Sequence, residues 1–216
     1  MIICFNKNNN NIVNYLSSIS IFITKYIWVN MKLIIIEGTD NTGKDTIISK
    51  LLERFPTTTL IHCGKPFSKK FSDKEQDQLF KAYIENIVNG SYDSTHCIIM
   101  NRSHIGEFVY GTLYRNRQVD DVCKMIFKLN NKLLERKDLD IRYVQLVCTS
   151  EKLLQKNEDG KSLSEGADYR ISMETIKFQE IFKCCDFPKK LVYVNNGDEF
   201  RSRESIFDEV WKFIDN

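Results

Sequence analysis

The sequence predicts an α/β fold with a five-stranded parallel sheet and helices on both of its faces. From Met31 onward, short β-branched runs alternate with segments whose apolar residues recur at helical spacing, which is typical of repeated strand–helix units. The strand candidates are nearly continuous apolar runs, as expected for strands that are buried on both faces. They span residues 33–36, 58–62, 97–100, 143–148 and 191–194.

Five segments between and after these strands have a helical pattern. They cover residues 47–55, 79–88, 122–134, 173–182 and 205–214. The last of them has one apolar face that includes Phe207 and Trp211, and we interpret this face as core packing. The sequence shows no internal repeat and no interior low-complexity tract, so we predict a single domain over residues 31–216.

Composition narrows the classes of protein to which the chain can belong. The 216 residues are 42% hydrophobic and 28% charged, which is the profile of a globular domain. The 31 Lys and Arg against 29 Asp and Glu give a net charge of only +2, so we expect no nucleic-acid partner. The seven cysteines form no C-x-x-C pair, which favours reduced thiols and a cytoplasmic location, or the host cytoplasm if the source is viral.

Residues 1–30 differ from the remainder. An Asn-rich tract leads into an apolar stretch at residues 15–29 that is interrupted by Ser, Thr and Lys25. This stretch is too short and too interrupted to span a bilayer, and it lacks the features of a signal or transit peptide, so we expect no membrane partner. We interpret residues 1–30 as a disordered extension or as sequence read from an over-early start codon, with Met31 as a candidate first residue.

A Gly-bounded loop joins the first strand to the first helix. Gly38 and Gly43 allow tight turns, so that successive N–H groups can point at phosphate oxygens beside the positive end of the new helix. Lys44 is then placed to reach the β- and γ-phosphates, as in G-x-x-x-x-G-K loops. We expect the ATP phosphates to be bound by Gly38, Thr39, Asn41, Thr42, Gly43, Lys44, Asp45 and Thr46.

One loop position departs from the common pattern. The residue after Lys44 is usually the Ser or Thr whose hydroxyl meets Mg²⁺, but here it is Asp45, and the hydroxyl comes one place later at Thr46. We therefore predict Mg²⁺ as the cofactor, with Asp45 and Thr46 as its candidate ligands.

Residues 37–46 read E-G-T-D-N-T-G-K-D-T, which resembles the E-G-x-D-x-x-G-K-x-T loop of thymidylate kinases. The G-K-D-T part also resembles phage deoxynucleoside monophosphate kinases. The resemblance implies a P-loop NTPase fold and ATP-dependent phosphorylation of a nucleoside monophosphate, dTMP or another dNMP, to the diphosphate. It also implies that Asp40 reaches the sugar hydroxyl of the acceptor; an ordinary turn aspartate is the alternative.

The third strand runs into a second motif, I-I-M-N-R-S-H-I-G-E at residues 98–107. Arg102 matches both the Asp-Arg-aromatic motif of thymidylate kinases and the Glu-Arg-Ser motif of deoxynucleoside kinases. A guanidinium beyond the carboxyl end of a strand suits a phosphate that must be oriented for transfer, so we predict Lys44 and Arg102 as the catalytic residues. The alternative is a surface arginine paired with Glu107 or with a helix end.

The same motif departs from the family at Asn101, where a carboxylate close to the metal is usual. Because Asp45 supplies a carboxylate where the family has a neutral hydroxyl, we hypothesise that a single carboxylate has moved across the metal site. Glu107 and Tyr110 follow in a predicted helix together with Arg115. They are candidates to line the acceptor pocket, or members of an ordinary amphipathic face.

Two further segments follow the family in position. Gly64-Lys65-Pro66 lies where thymidylate kinases have Arg-Glu-Pro, so Lys65 is a candidate second cation for the acceptor phosphate. Residues 152–170 lie where a family lid would close over ATP, with Lys156, Lys161 and Arg170 as its cations. A solvated loop is the alternative reading of this segment.

Two other functions stay open at this point. A deoxynucleoside kinase would act on the nucleoside itself and needs a carboxylate base at a strand end, where this chain has Asn101. A nucleotide switch or ATPase is disfavoured, because the sequence has no N-K-x-D motif and no apolar strand that ends in Asp. A homodimer is compatible with the sequence, which identifies neither the base nor the source.

We expect a chain that starts at Met31 to keep its stability and activity, because residues 1–30 lack a packing pattern that continues into the domain. Thermal unfolding of the full and shortened chains measures this directly. A large fall in melting temperature on truncation would show that the segment belongs to the folded domain.

Overall fold

The computed structural model describes residues 31–63, 72–156 and 168–216. Residues 1–30, Lys65 and residues 157–167, which include Lys161, lie outside the described residues. The predictions made for the extension, for Lys65 and for most of the lid therefore stay predictions.

The described chain alternates strands and helices from its first residue onward. The strands of the main sheet are β1 (Met31–Gly38), β2 (Thr58–His62), β3 (Cys97–Asn101), β4 (Leu139–Val147) and β5 (Lys189–Tyr193). The helices are α1 (Lys44–Arg54), α2 (Asp73–Val88), α3 (Glu107–Tyr114), α4 (Val119–Glu135), α5 (Glu151–Lys156), α6 (Asp168–Cys184) and α7 (Arg203–Asp215). A 3-10 turn (His104–Gly106) precedes α3, and the short strands β6 (Asn195–Asn196) and β7 (Glu199–Phe200) precede α7.

The five strands form one parallel sheet in the order β2-β3-β1-β4-β5. The predicted fold and all five predicted strands are confirmed. The chain crosses over between β1 and its two neighbours, so the carboxyl ends of β1, β3 and β4 lie side by side at one edge. Open α/β sheets bind their ligands at such an edge.

Two cores sandwich the sheet because successive residues of a strand point to opposite faces. On β1, Leu33 and Ile35 pack with apolar residues of α2 and α4, while Ile34 and Ile36 pack with α1 and α7. Phe207 belongs to the second core, which confirms the interpretation of the last helix as core packing. The helices therefore cover both faces of the sheet.

Helices occupy both ends of residues 152–170, the segment for which a family lid or a solvated loop was expected. Helix α5 already covers residues 151–156, and α6 begins at Asp168, five positions before the predicted start. Helix α5 has a single fully buried residue, Leu154, so its sequence shows no helical periodicity. Among the described residues, none of the helices combines the length and apolar character needed to cross a membrane.

Candidate active site

The loop after β1 has the backbone conformation that its glycines allow. Gly38 has φ 146° and Gly43 has φ 84°, both in the region that L side chains rarely adopt. A β-carbon at Gly38 would also clash with the backbone carbonyl oxygen of Leu146. Thr42 closes the loop by donating its hydroxyl to the carbonyl oxygen of Thr39 at 2.8 Å. The loop is thus fixed between β1 and β4 and leads directly into α1.

Lys44 is the first residue of α1, and its side chain turns back over this loop. Its Nζ donates to the carbonyl oxygens of Gly38 at 2.9 Å and Thr39 at 2.6 Å. Burial, with a smaller contribution from Arg102, lowers the pKa of Lys44 to about 7. A bound phosphate would raise that pKa again, since a nearby negative charge favours the ammonium form. The loop therefore positions the Lys44 side chain, and an anion bound there would favour its charged form.

The other predicted loop residues surround Lys44. Asn41, with φ 64°, donates its side-chain amide to the carbonyl oxygen of Leu154 at 3.4 Å, which links the loop to α5. Thr39 has a buried hydroxyl oxygen without a hydrogen-bond partner in the described part of the protein. Thr46 is partly buried in the first turn of α1. The structure thus brings the predicted phosphate-binding residues together around the start of one helix.

Arg102 lies just after β3 and faces the loop. Its guanidinium donates to the hydroxyl of Tyr110 at 2.5 Å and forms an ion pair with Asp40, and it lies 5.0 Å from the centre of the Tyr110 ring. Burial acts to lower the pKa of Arg102, but Tyr110, Asp40 and Glu37 together raise it above its ordinary value. Among the described residues, no ion pair joins Arg102 to Glu107, which was one of the alternatives for this arginine. Arg102 stays charged at the carboxyl edge of the sheet.

The backbone at Arg102 is unusual, with φ 64°. A bulky residue seldom adopts this conformation, which costs about 1 kcal/mol or more and persists only where the surroundings enforce it. Here two groups hold the side chain from opposite directions, Asp40 on the loop and Tyr110 on α3. The strained turn places the guanidinium between the phosphate loop and α3.

Glu107 is buried at the start of α3 and is paired with two arginines. It accepts hydrogen bonds from Arg115 and, at 3.1 Å, from Arg117. Arg117 in turn makes two 2.8 Å hydrogen bonds to Asp77 of α2. This network joins α3 to α2. Arg117 lies in no recognisable sequence motif, so its part in the network could not be predicted. The predicted contact of Glu107 with an acceptor stays a prediction.

Glu37 ties β1 to the turn after β3. One carboxylate oxygen accepts from the backbone N–H of Ser103 at 2.7 Å and from its hydroxyl at 2.9 Å. The other oxygen is buried without a hydrogen-bond partner among the described residues. Burial raises the pKa of Glu37, while Arg102, Ser103 and Lys44 act in the opposite direction. Glu37 is therefore a buried carboxyl group that lies close to the cations Lys44 and Arg102.

Asp45 and Asn101 are in direct contact, whereas the shared carboxylate hypothesised for them stays a prediction. The side-chain amide nitrogen of Asn101 lies 2.7 Å from a carboxylate oxygen of Asp45 and 3.0 Å from Nδ1 of His62. The carboxylate of Asp45 is a ligand that Mg²⁺ accepts, and rotation of the Asn101 amide would turn its oxygen to the position of its nitrogen, so these residues fit the ion. Within residues 31–63, 72–156 and 168–216, no group of three His, Cys, Asp or Glu residues could hold a metal. Protein ligands would thus be few, and phosphate oxygens and waters would complete the shell.

Glu174 of α6 is a site residue that sequence reasoning missed. It is 2% exposed and accepts a 2.5 Å hydrogen bond from the hydroxyl of Tyr114, whose ring stacks on that of Tyr110. Burial raises the pKa of Glu174 to about 7, and Asp40 adds to the rise. The only signal in the sequence was its spacing, since Glu174 lies on the same buried helical face as Ile171 and Phe178.

We expect Glu174→Gln to remove part of the pH dependence of stability. Because the pKa of Glu174 is raised from 4.5 to about 7, the folded chain keeps a proton that the unfolded chain releases. This stabilisation is complete below the unfolded pKa and is lost as the pH rises through the folded pKa. Between about pH 5 and pH 7.5, the wild type should lose on the order of 2 kcal/mol more stability than Glu174→Gln in urea unfolding.

The control is Glu180→Gln, because Glu180 lies exposed on the same helix. An identical pH dependence in the wild type and Glu174→Gln would show that Glu174 is not a buried, largely protonated acid.

Comparison with solved structures finds the same fold in several phosphate-transferring enzymes. The thymidylate kinase of Candida albicans superimposes with a TM-score of 0.60 at 17% identity, over 86% of this chain and 92% of that one. The YorR protein of Bacillus subtilis, solved in complex with phosphorylated GDP, gives 0.59 at 14% identity over 85% and 95%. Deoxyadenosine kinase from M. mycoides with bound dATP gives 0.50 at 17% identity over 85% and 99%.

No protein-family model matches the chain. No curated protein matches it in sequence either. At identities of 13–17%, the structural similarity establishes architecture and leaves the substrate open. The predicted resemblance is confirmed at that level: the chain has the fold of the P-loop kinases.

Proposed function

We propose that this protein transfers the γ-phosphoryl group of ATP to a nucleoside monophosphate, with dTMP or another dNMP as the acceptor. The observation that supports this most directly is the position of Arg102. Its guanidinium lies at the carboxyl end of β3, beside Asp40 of the phosphate loop and opposite the glutamate on α6. A fixed planar cation next to a donor-phosphate loop suits a second, acceptor phosphate.

The donor side of the reaction is electrostatic. The loop N–H groups and Lys44 are arranged around one helix start, where the helix dipole adds to their attraction for phosphate. When bound there, Mg²⁺ would neutralise charge on the phosphate oxygens. Asp45, Thr46 and Asn101 are the residues placed to hold it. Phosphoryl transfer needs alignment and charge neutralisation, which these groups supply without a covalent nucleophile.

The acceptor side is formed by α3, α6 and the loop. Arg102 would grip the acceptor phosphate, while Asp40 and Tyr110, which already hold that guanidinium, would contact the sugar. The hydrogen bond from Tyr114 to the buried Glu174 joins α3 to α6 beside these residues. The cytoplasmic location, the lack of nucleic-acid partners and the open question of a homodimer stay predictions from the sequence.

A deoxynucleoside kinase is the second candidate, and one observation favours it. Glu174 has a pKa of about 7, which is where a general base for a nucleoside hydroxyl works best. Asn101, by contrast, gives the end of β3 no carboxylate. Phosphorylation of a monophosphate gives Arg102 a role, because its cation can bind the acceptor phosphate. Phosphorylation of a nucleoside gives Glu174 a role, because its carboxyl group can act as the base.

A panel of acceptors separates these functions. The purified protein is incubated with Mg-ATP and with each monophosphate and each nucleoside in turn, and the products are resolved by chromatography. We expect ADP together with a new diphosphate. A new monophosphate from a nucleoside would support the second candidate, whereas ADP and free phosphate without an acceptor product would indicate an ATPase.

We expect Arg102→Ala to raise the barrier to transfer by about 3 kcal/mol or more, the scale of one charged transition-state contact. Steady-state kcat and KM for the best acceptor measure this. Arg54→Ala is the control, because Arg54 lies over the Trp211 ring at the last turn of α1. If kcat and KM are unchanged in Arg102→Ala, Arg102 has no role in transfer and serves only as the structural ion-pair partner of Asp40.

The contact between Asp45 and Asn101 predicts coupling between them. Asp45→Ser should weaken Mg²⁺-dependent activity by removing the carboxylate from the metal site. Adding Asn101→Asp should restore much of that activity, because the carboxylate returns on the other side of the contact. The measurement is kcat/KM across a Mg²⁺ titration. Losses that simply add in the double variant would rule out a shared carboxylate.

A further inference from the structure

A histidine completes the group formed by Asp45 and Asn101. His62 ends β2 and is the register partner of Asn101, which ends β3. Register partners on parallel strands point to the same face, and on this face they meet the first turn of α1. Nδ1 of His62 lies 3.0 Å from the amide nitrogen of Asn101, and the carboxylate of Asp45 lies 2.7 Å from the same atom. Three elements of the fold thus converge on one point.

The amide nitrogen of Asn101 is a hydrogen-bond donor that lies between two acceptors, Asp45 and His62. An amide nitrogen has two hydrogens, so Asn101 can donate one to Asp45 and one to Nδ1 of His62. In that arrangement Nδ1 carries its lone pair toward the amide, and the ring proton is on Nε2. A carboxylate oxygen and an imidazole lone pair that face the same small electropositive group are also the donors that bind a divalent cation.

The surroundings allow a cation to reach these donors. His62 and Asp45 are exposed, whereas Asn101 is buried and held in place by the strand. Rotation of the Asn101 amide exchanges its nitrogen for its oxygen, which converts the donor between the two side chains into a third possible ligand. The set would then consist of one carboxylate oxygen, one amide oxygen and one imidazole nitrogen.

We propose that His62, with Asn101 and Asp45, binds the divalent cation of the phosphate loop and makes the site prefer Mn²⁺ or Co²⁺ to Mg²⁺. This proposal deepens the proposed function, on which it rests for the role of the cation. Mg²⁺ prefers a shell of oxygens, whereas an imidazole ligand favours first-row transition ions, with Co²⁺ bound more tightly than Mn²⁺. The preference for Mn²⁺ or Co²⁺ would come from the imidazole of His62 at the end of β2, since the phosphate loop supplies only oxygen ligands.

The first test is spectroscopic and needs no turnover. Mn²⁺ is titrated into the full-length protein, free Mn²⁺ is followed by electron paramagnetic resonance, and the bound ion is examined by electron spin echo envelope modulation. We expect one bound Mn²⁺ with the ¹⁴N modulation of a coordinated imidazole. We expect His62→Gln to lose that modulation and to bind Mn²⁺ about tenfold more weakly, with Mg²⁺ binding nearly unchanged.

The matched control is His96→Gln, because His96 is an exposed histidine that directly precedes β3 and so lies at the opposite edge of the sheet. It should leave both the modulation and the affinities as they are in the wild type. Circular dichroism of each variant establishes that it is folded. A wild type that binds no Mn²⁺, or binds it without ¹⁴N modulation, would overturn the proposal, as would a His62→Gln protein that keeps the modulation.

A second measurement separates this proposal from the kinase proposal. The ratio of kcat/KM with Co²⁺ to kcat/KM with Mg²⁺ should fall about tenfold in His62→Gln. An active kinase with an unchanged ratio would overturn the metal assignment and keep the kinase. If the protein binds Mn²⁺ through His62 but transfers no phosphoryl group, the proposed metal site stands and the proposed kinase function is overturned.

Discussion

The ion pair between Arg102 and Asp40 connects the two halves of the candidate site. Asp40 belongs to the loop that follows β1, and Arg102 belongs to the turn that follows β3, so the pair spans the central strands at their carboxyl ends. Because both side chains are largely buried, the loss of either would leave an uncompensated charge, which commonly costs several kcal/mol. Tyr110 completes the arrangement by accepting from the same guanidinium. The pair therefore fixes the distance between the phosphate loop and the proposed acceptor side.

The charges around this pair explain why the site suits a phosphoryl group. Lys44 and Arg102 are the cations, and burial drives the ammonium of Lys44 toward its neutral form until an anion arrives. Glu37 and Glu174 are buried acids whose pKa values burial raises, that of Glu174 to about 7. A divalent ion at Asp45 would complete this balance.

Much of the fold could be predicted because it depends on local patterns. Continuous apolar runs predict strands that are buried on both faces. The G-x-x-x-x-G-K spacing that ends at Lys44 predicts a loop between a strand and a helix. The contacts that shape the acceptor side could not be predicted in this way. Glu174 and Tyr114 are 60 residues apart, and Arg117 reaches Asp77 across 40 positions, so only the folded chain brings them together. Two departures, one in each motif, placed Asp45 and Asn101 beside one metal site, and the structure brings their side chains to 2.7 Å from each other.

The central claim is that the loop around Lys44 positions a phosphoryl group for transfer, and the Lys44→Ala protein tests it most directly. The measurement is the single-turnover rate of γ-phosphoryl transfer from ATP to the best monophosphate acceptor. Lys50→Ala is the control, because Lys50 lies on the same helix and pairs with Glu204 away from the loop. The account predicts that Lys44→Ala stays folded and transfers at least about a hundredfold more slowly, while Lys50→Ala is unaffected. Equal rates in Lys44→Ala and the wild type would contradict it.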